Sequence, residues 1–194
     1  MVIAVEGMDG VGKTTVAKTF ANLYGFEYIE KPIMFILENL EKVCAENVLE
    51  NMYKCKDKFI KTWFFALGNL YAIKKNKGKD IILDRHYVSN YILNSDENSK
   101  KIYNLLIDEI GKPDITIVLH ANIETRISRI KQRNANDKDL LDKDIYSENL
   151  KKITSFMKEY NFNYEIIDTS NLNIQEVVEK IKNAVDNLEM EGEK

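Results

Sequence analysis

Apolar residues along the chain follow two alternating patterns. Residues 2–6, 26–30, 80–84, 114–119 and 164–168 each contain a short apolar run. Two of them, Ile81-Ile82-Leu83 and Ile115-Thr116-Ile117-Val118-Leu119, are continuous rather than alternating. A parallel sheet covered on both faces requires this pattern. Between the runs, apolar residues recur at helical spacing. Such stretches are expected over 15–24, from Ile33 through Ile36, Leu37 and Leu40 to Cys44, and over 57–75, 99–110, 122–133 and 145–160. A last helix opens on the capping box Asn173 to Glu176 and is expected to reach about Leu188, with residues 189–194 frayed. On the long helix over 57–75, Ile60, Trp63, Phe64, Leu67, Leu70 and Tyr71 line one broad face. Core packing or a subunit seam would explain that face. Strands alternating with helices predict a doubly wound α/β fold. Without linker, repeat or low-complexity tract, residues 1–194 read as one domain.

The first run leads into Gly7-Met8-Asp9-Gly10-Val11-Gly12-Lys13-Thr14, followed at once by the helical stretch from Thr15. This fits the phosphate-binding pattern G-x-x-x-x-G-K-[ST] without mismatch, and in the required strand–loop–helix context. Backbone N–H groups from Gly7 to Thr15 can turn toward a triphosphate, aided by the positive helix end. Lys13 would reach the β- and γ-phosphates, and the Thr14 hydroxyl would ligate Mg²⁺. ATP is the expected phosphoryl donor. The competing reading is a glycine-rich turn beside a surface lysine.

Composition narrows the setting. The chain has 194 residues, 44% of them hydrophobic, enough for a substantial core. A net charge of -3 gives no global nucleic-acid signature. Cys44 and Cys55 lack metal-site or disulfide spacing and suggest buried thiols in a reducing compartment. With no leader before the first strand and no long apolar run, a soluble cytoplasmic protein away from membranes is expected. Of 28 basic residues only Arg85, Arg126, Arg129 and Arg133 are arginines. Guanidinium forks suit phosphate oxygens better than ammonium does.

Asp84-Arg85 ends the third run, at the rim where open α/β sheets gather ligands. The acid could hold hydrated Mg²⁺, and the arginine a phosphate on a second substrate. An N-cap and a surface ion pair are the plainer explanation. Arg126, Arg129 and Arg133 share one side of a helix that leads into a polar segment, 134–144. That segment is expected to act as a lid excluding water; a solvated helix face accounts for the arginines equally well. His86 either shapes an acceptor pocket or is structural. His120 reads as structural.

Together these residues resemble the thymidylate kinase family of P-loop nucleoside monophosphate kinases, over most of the chain. The carriers are Glu6-Gly7-Met8-Asp9-Gly10-Val11-Gly12-Lys13-Thr14-Thr15, Phe64-Phe65-Ala66, Leu83-Asp84-Arg85-His86-Tyr87-Val88-Ser89, Pro113-Asp114-Ile115-Thr116 and Ile167-Asp168-Thr169-Ser170. Glu124, Arg129 and Arg133 match the helix before the family's lid. The resemblance implies a three-layer α/β/α fold with a five-stranded parallel sheet in the order 2-3-1-4-5, and a homodimer. It implies that Asp9 contacts the acceptor sugar, Arg85 holds the acceptor phosphate, Phe65 stacks on the base, and Ser89 belongs to the acceptor site. Arg129 or Arg133 would lie against the donor adenine and phosphates. The implied reaction is ATP- and Mg-dependent conversion of dTMP to dTDP, in nucleotide biosynthesis.

The chain departs from the family at four places. Glu30-Lys31-Pro32-Ile33 stands where the family has Arg-Glu-Pro-Gly, and no arginine precedes Arg85. The base-reading arginine falls at Asn69, whose amide offers a different donor pattern. The fourth strand ends on His120 instead of Asp. The lid segment has Lys138 and Lys143 but no arginine. The related deoxynucleoside kinases, which place an acid near the end of the second strand as base, make Glu30 a candidate for that role on a nucleoside acceptor. A GTPase-type switch would need Asn-Lys-x-Asp, which Asn76-Lys77-Gly78-Lys79-Asp80 misses by one residue.

Overall fold

The computed structural model describes residues 1–37, 40–134, 137, 140 and 149–192. Five parallel strands form one sheet: β1 (Val2–Glu6), β2 (Glu27–Glu30), β3 (Ile81–Asp84), β4 (Ile115–His120) and β5 (Tyr164–Asp168). Their order is β2-β3-β1-β4-β5, as the resemblance implied. The continuous apolar runs become the central strands. β3 is buried throughout, and β4 is buried up to its last residue.

Helices cover both faces. α1 (Lys13–Tyr24) and α9 (Ile174–Gly192) pack on one. There Val16, Phe20, Val177 and Ile181 meet Ile3, Val5, Ile117 and Leu119. On the other face lie α4 (Lys58–Lys75), α5 (Tyr87–Asn94), α6 (Lys100–Ile110) and α8 (Leu150–Glu159). Their core joins Ala66, Tyr87, Val88, Tyr103, Phe156 and Met157 to Val118. At about 25 cal/mol per Å² of apolar surface removed from water, these two interiors dominate stability.

Register positions the site. Val5 pairs with Asp84 of β3 and with Ile117 of β4. The carboxyl ends of β1, β3 and β4 therefore share one rim, and the loop after β1 faces the turn after β3. Helix α7 (Ile123–Arg133) follows β4, with the Asn122 side chain accepting from Thr125 N.

Four expectations change. The stripe after Pro32 is not one helix but two, α2 (Pro32–Leu37) and α3 (Lys42–Lys54). Leu40 N turns back to Leu37 O, and Ala45 is the buried residue of α3. Cys44 is exposed and Cys55 half-buried, because α3 lies on the surface. On α4, Ile60, Trp63, Leu67 and Tyr71 are 37–53% exposed, so their stripe is not core. The last helix runs on to Gly192. Of the expected lid, Asn134, Asp137 and Leu140 fall among the described residues; Lys138 and Lys143 lie outside them, as does the start of the helix expected at 145.

Candidate active site

The glycine loop between β1 and α1 packs too closely for side chains at two points. A Cβ on Gly7 (φ 138°) would lie 2.2 Å from Leu119 O. One on Gly10 (φ 83°) would lie 2.7 Å from Arg126 O. Both positions therefore need glycine for backbone sign and for space. Val11 is buried beneath the loop, and Gly12 leads directly into α1. Thr14 and Thr15 are open to solvent at the helix start.

Lys13 is 6% exposed and donates from Nζ to Met8 O at 2.8 Å. Burial, then the charge of Arg85, lowers its pKa to about 8, against the pull of Asp9, Asp84 and Glu6. Across the loop, Thr14 Oγ1 donates to Asp84 Oδ2. The Tyr28 hydroxyl reaches the same oxygen at 3.4 Å. A hydroxyl and a buried carboxylate oxygen form a hard-oxygen pair that fits Mg²⁺, which keeps most of its waters. The predicted Thr14–Asp84 pairing is thus brought together.

Arg85 follows Asp84 with φ 77°, a left-handed conformation unusual for a side-chain-bearing residue. Its Nη2 donates to Asp9 Oδ1 at 2.6 Å, and its Nη1 to Ser89 Oγ at 3.2 Å. Asp9 also lies 3.7 Å from Lys13 Nζ. Burial opposes ionisation of Asp9, but Arg85, Lys13, Lys31 and Arg133 outweigh it and hold the carboxyl below its ordinary range. Asp9, Lys13, Arg85 and Ser89 are therefore brought together in one cluster. Lys31 adds its positive charge to this cluster from the turn after β2.

Glu6 organises this turn, and the motif reading gave it no role. It is fully buried at the end of β1. Its Oε1 accepts from His86 N (2.8 Å) and Ser89 N (3.2 Å), and its Oε2 accepts from the Ser89 hydroxyl. Burial raises its pKa despite these bonds and the charge of Arg85. Glu6 thus fixes Ser89, and Ser89 supports Arg85. The signal available in the sequence was an acid closing an apolar strand. His86 is buried, with its pKa pushed down to about 3 by desolvation, so it stays neutral and structural.

The α7 arginines do not form a free cationic face. Arg126 Nε donates to Asp9 O at 2.9 Å. Arg129 donates to Thr169 O (2.7 Å), Thr169 Oγ1 (3.0 Å) and Val11 O (3.5 Å). Arg133 pairs with Asp137. Three of the four arginines thus bond carbonyls of the glycine loop, since Arg85 also reaches Gly7 O at 3.4 Å.

Farther out, Phe65 is half-buried, with its ring 5.9 Å from that of Tyr53. Asn69 is buried; its Nδ2 donates to Phe65 O, and its Oδ1 has no partner. Glu30 is exposed and pairs with Lys18 at 3.7 Å.

A five-stranded parallel sheet in this order, a phosphate loop after β1, and an acid–arginine pair after β3 define a P-loop kinase, a phosphotransferase acting on nucleotides or nucleosides. The thymidylate kinase family model matches residues 5–181, and the chain belongs to that family. It is 31% identical to a probable thymidylate kinase 1 of Saccharolobus solfataricus, over 87% of this chain and 88% of that one. It is 31% identical to a deoxyguanosine kinase of Bacillus subtilis, over 68% of this chain and 66% of that one. Among solved structures, a deoxyadenosine kinase from M. mycoides with the products dCMP and a flexible dCDP superimposes at a TM-score of 0.66 and 25% identity. That match covers 96% of this chain and 100% of the other. Among the described residues, no helix is long and apolar enough to cross a membrane.

Proposed function

We propose that this protein transfers the γ-phosphoryl group of Mg-ATP to dTMP, giving dTDP. The observation carrying this reading is Arg85, held 2.6 Å from Asp9 on the donor loop itself. A guanidinium there can bind the phosphate of a second substrate beside the donor. Such an acceptor is already ionised at neutral pH, so catalysis consists of positioning and charge neutralisation. Lys13 neutralises the donor's β- and γ-phosphates, and Arg85 with Lys31 the acceptor phosphate. Asp9 holds the sugar and Phe65 stacks on the base, with Asn69 at its edge. Arg129 and Arg133 flank the donor. Thr14 and Asp84 would hold Mg²⁺, which would supply charge neutralisation at the donor phosphates.

A second reading, phosphorylation of a deoxynucleoside, is favoured by the lack of any arginine before Arg85. The names of the Bacillus subtilis and M. mycoides relatives point the same way. Lys31 weakens this reading, because it adds a cation to the cluster at Asp9. The test is incubation with Mg-ATP and each of the four deoxynucleosides and their monophosphates, with products separated by chromatography. Conversion of dTMP supports the first reading; conversion of nucleosides alone replaces it with the second. We further propose a homodimer through the exposed stripe Ile60, Trp63, Leu67 and Tyr71, checked by sedimentation of wild type and Trp63→Glu. A cytoplasmic setting accompanies this reading, in keeping with two free thiols.

A further inference from the structure

Arg126 and Arg129 both grip the glycine loop from α7, yet their donors are used differently. Arg129 spends both Nη groups on Thr169 and Val11. Among the described residues Arg126 has one side-chain hydrogen bond, from Nε to Asp9 O. Its Nη2 is buried and has no partner. The residue is only 6% exposed. A buried donor left unpaired carries an uncompensated desolvation cost, which an anionic ligand would relieve.

Geometry indicates where that ligand lies. In the planar guanidinium, Nε–H and one Nη2–H point from the same edge. With Nε on Asp9 O, Nη2 stays beside loop residue 9. The Asp9 carboxylate meets Arg85 Nη2 at 2.6 Å and Lys13 Nζ at 3.7 Å. Asp9 thus carries Arg126 on its main-chain carbonyl and Arg85 and Lys13 beside its carboxylate, so three cations converge on one loop residue. The α7 backbone at Arg126 sits against Gly10, so this arginine is held at the loop.

We propose that Arg126 binds the phosphoryl group in transfer, with Nη2 as the donor. This rests on the phosphotransferase reading above. The γ-phosphorus–oxygen bond to ADP breaks as the bond to the acceptor oxygen forms. Arg126 exchanges no proton and offsets charge on the oxygens of the transferring group. Of Arg85, Arg126 and Arg129, the described arginines that bond the loop, Arg126 is the one with an Nη2 that has no partner.

The test compares Arg126→Gln, Arg126→Lys and wild type as full-length proteins, with whichever of the eight screened acceptors wild type phosphorylates. Gln can still donate to Asp9 O but has lost the fork and the charge. The expected result for Arg126→Gln is a kcat about 10²- to 10³-fold lower, with both KM values within about fivefold. Affinity for Mg-ADP with aluminium fluoride and acceptor, which imitates the planar transferring group, should fall by a similar factor. Mg-ATP affinity should fall less than about fivefold, and Arg126→Lys should recover about tenfold in kcat. Near-wild-type kcat in Arg126→Gln, or equal losses of Mg-ATP and aluminium fluoride affinity, would overturn the proposal and leave a loop clamp. Should Arg126→Gln not fold, Arg126→Lys is read by the same ratio of affinities. An acceptor other than dTMP defeats only the substrate assignment. A wild type that phosphorylates none of the eight defeats both.

Discussion

Arg85 and Asp9 stand 76 residues apart in sequence and 2.6 Å apart in space. The ion pair joins the turn after β3, where Arg85 takes a left-handed conformation, to the donor loop, and Arg85 Nη1 adds a second contact to Gly7 O. Arg85→Lys keeps the charge but loses the fork that serves Asp9 and Ser89 together. Its acceptor KM should rise about 10- to 100-fold, with ATP affinity within about threefold. Steady-state kinetics and ATP titration check this.

Lys13 titrates near pH 8 in the free protein, below its ordinary value of 10.5. Bound phosphates favour the charged form, so ATP binding raises that pKa and takes up a proton where Lys13 was neutral. Uptake should be close to zero at pH 6.5 and about three-quarters of a proton at pH 8.5. Calorimetry in two buffers of different ionisation enthalpy measures it. Lys13→Ala should abolish both the uptake and turnover while leaving the fold intact. Between about pH 8 and 10.5 the unfolded chain binds more protons than the folded one, so this group makes stability rise with pH there.

Glu6 supplies acceptors to two main-chain N–H groups and one hydroxyl in a buried turn. Glu6→Ala leaves them unpaired and should lower stability by about 1–3 kcal/mol, read by urea denaturation. Glu6→Gln keeps a carbonyl for the N–H groups, so it should stay closer to wild type in stability and chiefly raise acceptor KM.

Gly10→Ala should be among the most damaging small substitutions. The added methyl meets the Arg126 backbone and the φ of 83° is strained for alanine. A stability loss of about 1–3 kcal/mol is expected, together with weakened ATP binding. Thermal melts with and without Mg-ATP separate the two effects.

Asp84→Asn removes the carboxylate that accepts from Thr14. The Mg²⁺ concentration for half-maximal turnover should rise about tenfold or more. A magnesium titration at saturating ATP tests this.

The chain's pattern alone determined the sheet and the donor loop. Continuous apolar runs demanded a sheet covered twice, and the glycine motif is local, its residues adjacent in sequence. Asp84-Arg85 was legible because it ends an apolar strand. The outward-facing stripe on α4 was not, because helical spacing is the same for a core face and an unpartnered one. Nor was the split between α2 and α3. Glu6 became a functional candidate only in three dimensions, and Arg126, already one of the four arginines singled out in the sequence, was told apart from Arg129 and Arg133 only there. Contacts such as Thr169 to Val11, 158 residues apart, depend on strand register and on how closely α7 approaches Gly10. Sequence determined which chemistry the chain carries, because that chemistry resides in contiguous motifs. Tertiary structure decided which arginine donors are spent on the loop and which remains for a ligand, because hydrogen-bond satisfaction depends on neighbours that packing supplies.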